Sequence, residues 1–442
     1  MQALLLNGSR PNDPIAERAQ AVAARPGKKI CNRSSSANPT PSSKYFGATM
    51  RKIFLGVFIL CVMTGCAAPT LISSPPPAAI EADYALTNAT LIDGTGADPV
   101  SDAVLLVKGE RIVAVGSAAS LTVPAGVKSI DLQGATILPG FINAHVHFAF
   151  DEQKLETWAQ GGVTTVRDEG IVSDLALEDL LALRDRTRSD SRIARLVSAG
   201  YMMTVPDGYG DLFVTSPEDA RQKAVEELDA GVDLLKISLE NGYAGQSGLP
   251  LLSDEEMAAI VTATHERGKP VSGHITQGAY LERMVKAGVD DVGHIPYDYI
   301  NPDVLKAMVA KDIYFTPTFT VFRNYGAPIS SCVSNLRQFL KLGGKVALGN
   351  DYGGGPGDFE LGIPMYEIAQ MSRAGMTPMQ IITASTLNAA HVSNLEQELG
   401  SLVPGKIADI LVVNGDPLTD LQALTQIRMV VHNGIIIRDE NP

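Results

Sequence analysis

An alternation over residues 141–351 constrains this chain more than anything else in it: eight short apolar runs separated by stretches of helical period. The runs are 141–148, 163–168, 193–199, 234–239, 270–275, 291–295, 314–320 and 346–351. Helical stretches at 175–188, 217–230, 254–266, 280–287, 302–310 and 333–342 lie between them, several opened by Ser, Asp, Asn or Pro, residues that cap or start helices. A strand needs a long crossover to reach a parallel neighbour, and a helix supplies it. Eight such units predict an α/β chain with a (β/α)8 TIM barrel, in which chemistry gathers at the C-terminal strand ends.

The flanks have a different texture. Residues 84–138 and 399–442 hold short β-branched runs punctuated by Asp93-Gly94, Gly109-Glu110, Asn414-Gly415 and Asn433-Gly434, the last pair a tight-hairpin signal. They predict a small antiparallel β-sandwich domain built from both chain ends, with the barrel at 139–398 between its halves. Further upstream, Met50-Arg51-Lys52, the apolar run 53–63 and Thr64-Gly65-Cys66 have the order of an export signal spanning 50–66. The run is too short to span a bilayer, which takes roughly 20 apolar residues. Met63-Thr64-Gly65-Cys66 resembles the lipobox of bacterial lipoproteins, which implies lipidation at Cys66 and a protein exported to the cell envelope, periplasmic or held at a membrane by its lipid anchor. Residues 67–83, with Ser73-Ser74-Pro75-Pro76-Pro77, read as an extended linker. Residues 1–49 precede a signal that should open a chain, so they read as a non-native, disordered extension.

Charge narrows the partners. Residues 1–79 carry nine of the 36 Lys and Arg but two of the 49 Asp and Glu, which leaves 27 against 47 in the rest. Such acidity argues against nucleic acid, because phosphate binding needs clustered cations. Cys31, Cys61, Cys66 and Cys332 form no CxxC pair and no disulfide framework. The glycine-rich run 353–357 lacks the Lys-Ser/Thr of a phosphate loop and reads as a flexible βα loop.

Metal-type side chains recur at the predicted strand ends. His145 and His147, two apart on the first run, share one face and can reach one ion, although alone they are as readily a pair of packing histidines. Downstream, Lys236 falls on the fourth run, His274 on the fifth, His294 on the sixth and Asp351 at the end of the eighth. A lysine inside an apolar strand is costly without a partner, so Lys236 belongs to a metal centre or to an ion pair with a carboxylate. Asp351 is a turn residue, or a carboxylate that ligates a divalent ion and takes a proton from its water. His265, His391 and His432 read as surface or packing residues.

The segments LPGFINAHVH, GGVTTVRDEG, GVDLLKIS, VSGHI, DVGHI, ALGNDYG, ASTLNAA and SLVPGKIADILVVNGDPL resemble the amidohydrolase superfamily of metal-dependent hydrolases, in the family's order from 84 to 438. The resemblance is to its binuclear branch, similar to imidazolonepropionase-like and Xaa-dipeptidase-type members. It implies that His145 and His147 bind one metal, a carbamylated Lys236 bridges two, His274 and His294 bind the second, and Asp351 handles the bridging hydroxide. The mononuclear deaminase branch instead places a Glu near the fifth strand, and none follows His274 here. The implied cofactors are two divalent ions, zinc by its preference for imidazole and carboxylate.

The expected activity is hydrolysis of an amide or peptide C–N bond, in a dipeptide or an N-acyl amino acid, with Asp351 carrying the proton to the leaving nitrogen. A lactone, carbamate or cyclic amide on the same site, and a non-catalytic surface lipoprotein, are the alternatives. A substrate carboxylate needs a cation or hydroxyls in the βα loops, for which Arg323 and Tyr243 are candidates. Tyr201, Met202, Tyr297 and Tyr299 are candidates to line the pocket, Arg167-Asp168 reads as a brace within the barrel, and a homo-oligomer is compatible with all of this.

Overall fold

The computed structural model describes residues 80–440 apart from 171–174, 243–246 and 356. The export signal, Cys66 and Tyr243 lie outside the described residues. In chain order, the N-terminal flank contributes β1 (Tyr84–Leu91), β2 (Val100–Lys108), β3 (Arg111–Ser117), β4 (Lys128–Asp131) and β5 (Thr136–Pro139). The middle contributes β6 (Phe141–Val146), β7 (Val163–Asp168), β8 (Arg195–Ser198), β9 (Met202–Thr204), β10 (Leu212–Phe213), β11 (Leu235–Ser238), β12 (Val271–His274), β13 (Asp291–Gly293) and β14 (Tyr314–Thr316). The C-terminal flank adds β15 (Ile410–Val413), β16 (Ile427–His432) and β17 (Ile435–Asp439).

The two flanks make one sheet, in the order β17-β16-β15-β5-β1-β2-β3. It is mixed, where the sequence predicts an antiparallel one. The chain leaving β3 crosses to the far edge of β1, which pairs in parallel with β4 along Tyr84–Thr87 and with β5 along Thr90–Leu91. The hairpin prediction holds: Asn433 and Gly434 join β16 to β17 with φ of 49 and 74, the left-handed pair that a two-residue turn requires. Strand alternation then serves two cores. Ile410 and Val412 pack into the sheet's own core, whereas Leu411 and Val413 pack onto the barrel, as do Leu138 and Val430.

The barrel strands are parallel, with β6-β7-β8 in one sheet and β9-β11-β12-β13-β14 in the other. Asp233 N donates to Ser198 O at 2.9 Å across the gap between them. Two of the eight predicted runs differ. The eighth is not a regular strand. It closes the barrel through single contacts, with Ala347 N on Phe315 O, Ala144 N on Leu348 O and Asp351 N on His145 O. The seventh ends at Thr316, because Thr318 is left-handed at φ 54 and a helix, Phe319–Asn324, begins after it. Arg323 is therefore helical. Strands β9 and β10, within the third βα connection, carry no alternation long enough to read from sequence. Helices Pro217–Ala230 and Pro302–Ala310 lie where their Pro starts and Ser216 and Asn301 caps place them. Among the described residues no helix is long and apolar enough to cross a membrane.

Candidate metal centre

The barrel brings five of the six predicted residues face to face. Strand β6 delivers His145 and, just past its end, His147; β12 ends on His274, β13 is followed by His294, and the closing segment ends on Asp351. Ring centroids are 5.5 Å apart for His145 and His147, 4.8 Å for His145 and His294, and 4.6 Å for His274 and His294. Asp351 Oδ1 is 3.4 Å from His145 Nε2 and 3.3 Å from His147 Nε2, while Oδ2 is 3.8 Å from His294 Nδ1. His294 Nε2 and His274 Nδ1 are 2.9 Å apart. All five side chains are buried.

The donor set fits a divalent cation. Neither ring nitrogen of His145 has a hydrogen-bond partner, nor does Asp351 Oδ1. A buried polar atom left so costs about 1–3 kcal/mol, which an ion among them would offset. His147 Nδ1 lies 3.2 Å from Gly170 O, which can only accept, so Nδ1 carries the proton and Nε2 is free toward Asp351. Burial, then the positive charge of Lys236, pushes His145 well below the ordinary histidine value, and burial with His274 does the same to His294. Burial also lowers His274, against the pull of Glu240. At His147 burial works downward but Asp351 outweighs it and holds the ring above its ordinary value. A neutral imidazole is the form that ligates.

Backbone strain gathers here. Phe148, His294, Thr318 and Asp351 are left-handed, at φ 55, 86, 54 and 56, a region that non-glycine residues enter at some cost and chiefly at functional sites. Gly293 is required for another reason: a Cβ on it would lie 2.5 Å from His145 Cε1.

Lys236 is the sixth residue, and its Nζ is 2.6 Å from Glu169 Oε2. The ion pair with a carboxylate, one of the two readings open from sequence, is therefore formed. Glu169 also meets Arg167 Nε at 2.7 Å, and Arg167 grips Asp291 with both amino groups at 3.1 and 2.7 Å. All four are fully buried. Arg167 is thus the brace expected of it. Asp168 is one as well, accepting from Ala149 N and Gly170 N. Glu169 was legible in principle, since it stands two residues after inward-facing Arg167 and shares its face. Arg167→Met is expected to cost about 3–5 kcal/mol in urea unfolding, because it strands two buried carboxylates; a loss below about 1 kcal/mol would contradict the brace.

The remaining candidates divide. Arg323 is exposed, donates to Asn324 Oδ1 and Asp358 O, and lies 4.2 Å over the Tyr366 ring, so the structure does not join it to the histidines. Met202 is buried in β9, and Tyr299 is 76% exposed. Tyr297 packs on Phe322, which in turn faces His294. Sequence reasoning missed Tyr209, whose ring is 4.7 Å from His274, and Glu240, whose Oε2 is 3.5 Å from His274 Nε2. His265 pairs with Asp290, His391 lies beside Glu396, and buried His432 contacts Ser191 O, all three away from the centre as expected.

A parallel barrel with four imidazoles and a carboxylate converging at its strand ends defines a class, the metal-binding hydrolases built on this fold. Within that class the chain belongs to the amidohydrolase family, whose model matches residues 136–437. Ochratoxinase of Aspergillus niger is 24% identical over 430 residues, covering 82% of this chain and 87% of its own length. Imidazolonepropionase of Symbiobacterium thermophilum is 25% identical over 361 residues, covering 70% and 83%. A solved Xaa-Pro dipeptidase with bound methionine has a TM-score of 0.70 at 24% identity, covering 80% of this chain and 99% of its own. At that identity the likeness concerns the fold.

Proposed function

We propose that this hydrolase cleaves the C–N bond of an amide, with His145, His147, His274, His294 and Asp351 as metal ligands and Asp351 as the proton carrier. The observation that supports it best is the Asp351 carboxylate, its Oδ1 within 3.4 Å of two histidine nitrogens and without a hydrogen bond. A divalent ion held there supplies water activation, lowering the pKa of water to about 7, and polarises the carbonyl. Asp351 accepts the proton of the attacking water and returns it to the leaving nitrogen, which otherwise departs as an unstable amide anion. Tyr209 and Phe322 wall the site with apolar surface. For the loaded form we keep two divalent ions, zinc first, and a carbamylated Lys236; that form requires Nζ to part from Glu169.

The loops sharpen the substrate. Among the described residues, the connections 147–151, 169–176, 199–216, 239–253, 275–277, 294–301, 317–328 and 351–364 that leave the catalytic strand ends hold one cation, Arg323, against nine Asp and Glu. Of these, Glu169 is paired with Lys236 and Arg167, and Asp351 and Glu240 face the histidines, which leaves six. Such a mouth repels carboxylates and attracts cations. We therefore rank neutral or amine-bearing amides above free dipeptides and N-acyl amino acids. A panel of dipeptides, their C-terminal amides and N-acyl amino acids is expected to give kcat/KM about tenfold or more higher for the amides, an order-of-magnitude figure for like-charge juxtaposition. Better turnover of the free acids would sink this ranking. Turnover confined to esters or lactones would sink the amide reading itself.

A further inference from the structure

We infer that Glu367, which touches none of the ligands, is a positioning residue that fixes the tautomer and aim of His294 through Thr318. The inference rests on the reading of His294 as a metal ligand. His294 Nδ1 is 2.6 Å from Thr318 Oγ1, and that hydroxyl gives its single proton to Pro317 O at 2.8 Å. The oxygen must therefore accept from His294 Nδ1–H, which leaves the Nε2 lone pair facing His274.

Thr318 can do this only from a strained backbone. It is β-branched and left-handed at φ 54, a strained conformation that persists only where the surrounding structure enforces it. The enforcement comes from Glu367 on the helix Met365–Ala374. Its Oε2 accepts from Phe319 N at 2.9 Å, and its Oε1 accepts from Thr320 N. These are the first N–H groups of the helix Phe319–Asn324, which have no acceptor within it. One buried carboxyl thus pins the two peptide groups that follow Thr318. Burial pushes that carboxyl up to about 8 in spite of these bonds, so it holds the turn from a place where its own ionisation is disfavoured. Without it Thr318 relaxes toward ordinary φ, the hydroxyl swings away, and His294 is free to turn or change tautomer.

The test is metal affinity of the purified full chain, read with Co2+ or Zn2+ in competition with a chromophoric chelator, alongside far-UV circular dichroism. Outer partners of metal-binding histidines are commonly worth about 10–100-fold in affinity. Glu367→Gln is expected to weaken binding by that order, and Glu367→Asp, which keeps the carboxyl but withdraws it from the two N–H groups, serves if the first fails to fold. Thr318→Ser, which keeps the hydroxyl, is expected to stay near wild type. Thr318→Gly is expected to weaken binding as Glu367→Gln does, and the double variant to be no weaker than either, because glycine needs no brace and has no hydroxyl to aim. Wild-type affinity in both Glu367 variants, or fully additive losses in the double variant, would overturn the inference. His294→Ala separates the two readings. If it binds metal as wild type does, the ligand assignment falls and the inference with it; if it is weakened while the Glu367 variants are not, the brace alone falls.

Discussion

Asp351→Asn is expected to lower kcat/KM by about a thousandfold while the protein keeps its fold and most of its metal. Positioned general bases contribute on the order of 10²–10⁴, and an amide in that place can neither take the proton of the attacking water nor return it. Asparagine is the informative replacement because Asp351 is left-handed at φ 56, which Asn adopts more readily than most residues, so the turn survives. Its carbonyl oxygen can still face His145 and His147, where Oδ1 lies at 3.4 and 3.3 Å. Kinetics on the best amide of the panel, with metal content by inductively coupled plasma mass spectrometry, decide the matter. Activity within about tenfold of wild type, with metal retained, would remove Asp351 from proton transfer.

The second large effect concerns the metal itself. Chelator-treated protein is expected to be inactive and to melt on the order of 5–10 °C below the protein reloaded with Zn2+. An ion present at 1,000 times its dissociation constant adds about 4 kcal/mol, and a domain of this size shifts by about 2–4 °C per kcal/mol at most. The physical source is the pair of unpartnered, fully buried nitrogens of His145 together with Asp351 Oδ1. His145→Ala should therefore abolish both turnover and the difference between the two melting curves. If treated and reloaded protein melt together, the cluster is not a metal site in solution.

Much of this was open to a reader of the amino-acid sequence. Side chains two apart on a strand share a face, and parallel βα units put successive strand ends at one mouth, so His145, His147, His274, His294 and Asp351 could be named without coordinates. The hairpin at Asn433-Gly434 was equally local, set by the φ that those residues tolerate. Lys236 could be placed at the strand ends from sequence, as a metal-site residue with an ion pair as the alternative. Its partner could not be named, because Glu169 lies 67 residues away and is itself held by Arg167, which also holds Asp291.

What only the tertiary structure decided has a common cause. Thr318 at φ 54, Glu367 bonded to peptide groups 47 and 48 residues away, and the mixed pairing of β1 are long-range arrangements with no local period to betray them. The grouping of the acidic loops belongs with them: they are scattered along the chain, and the parallel order of the strands puts them at one end of the barrel. Side-chain periodicity determined which residues meet at the strand ends; packing between distant segments decided how each is held.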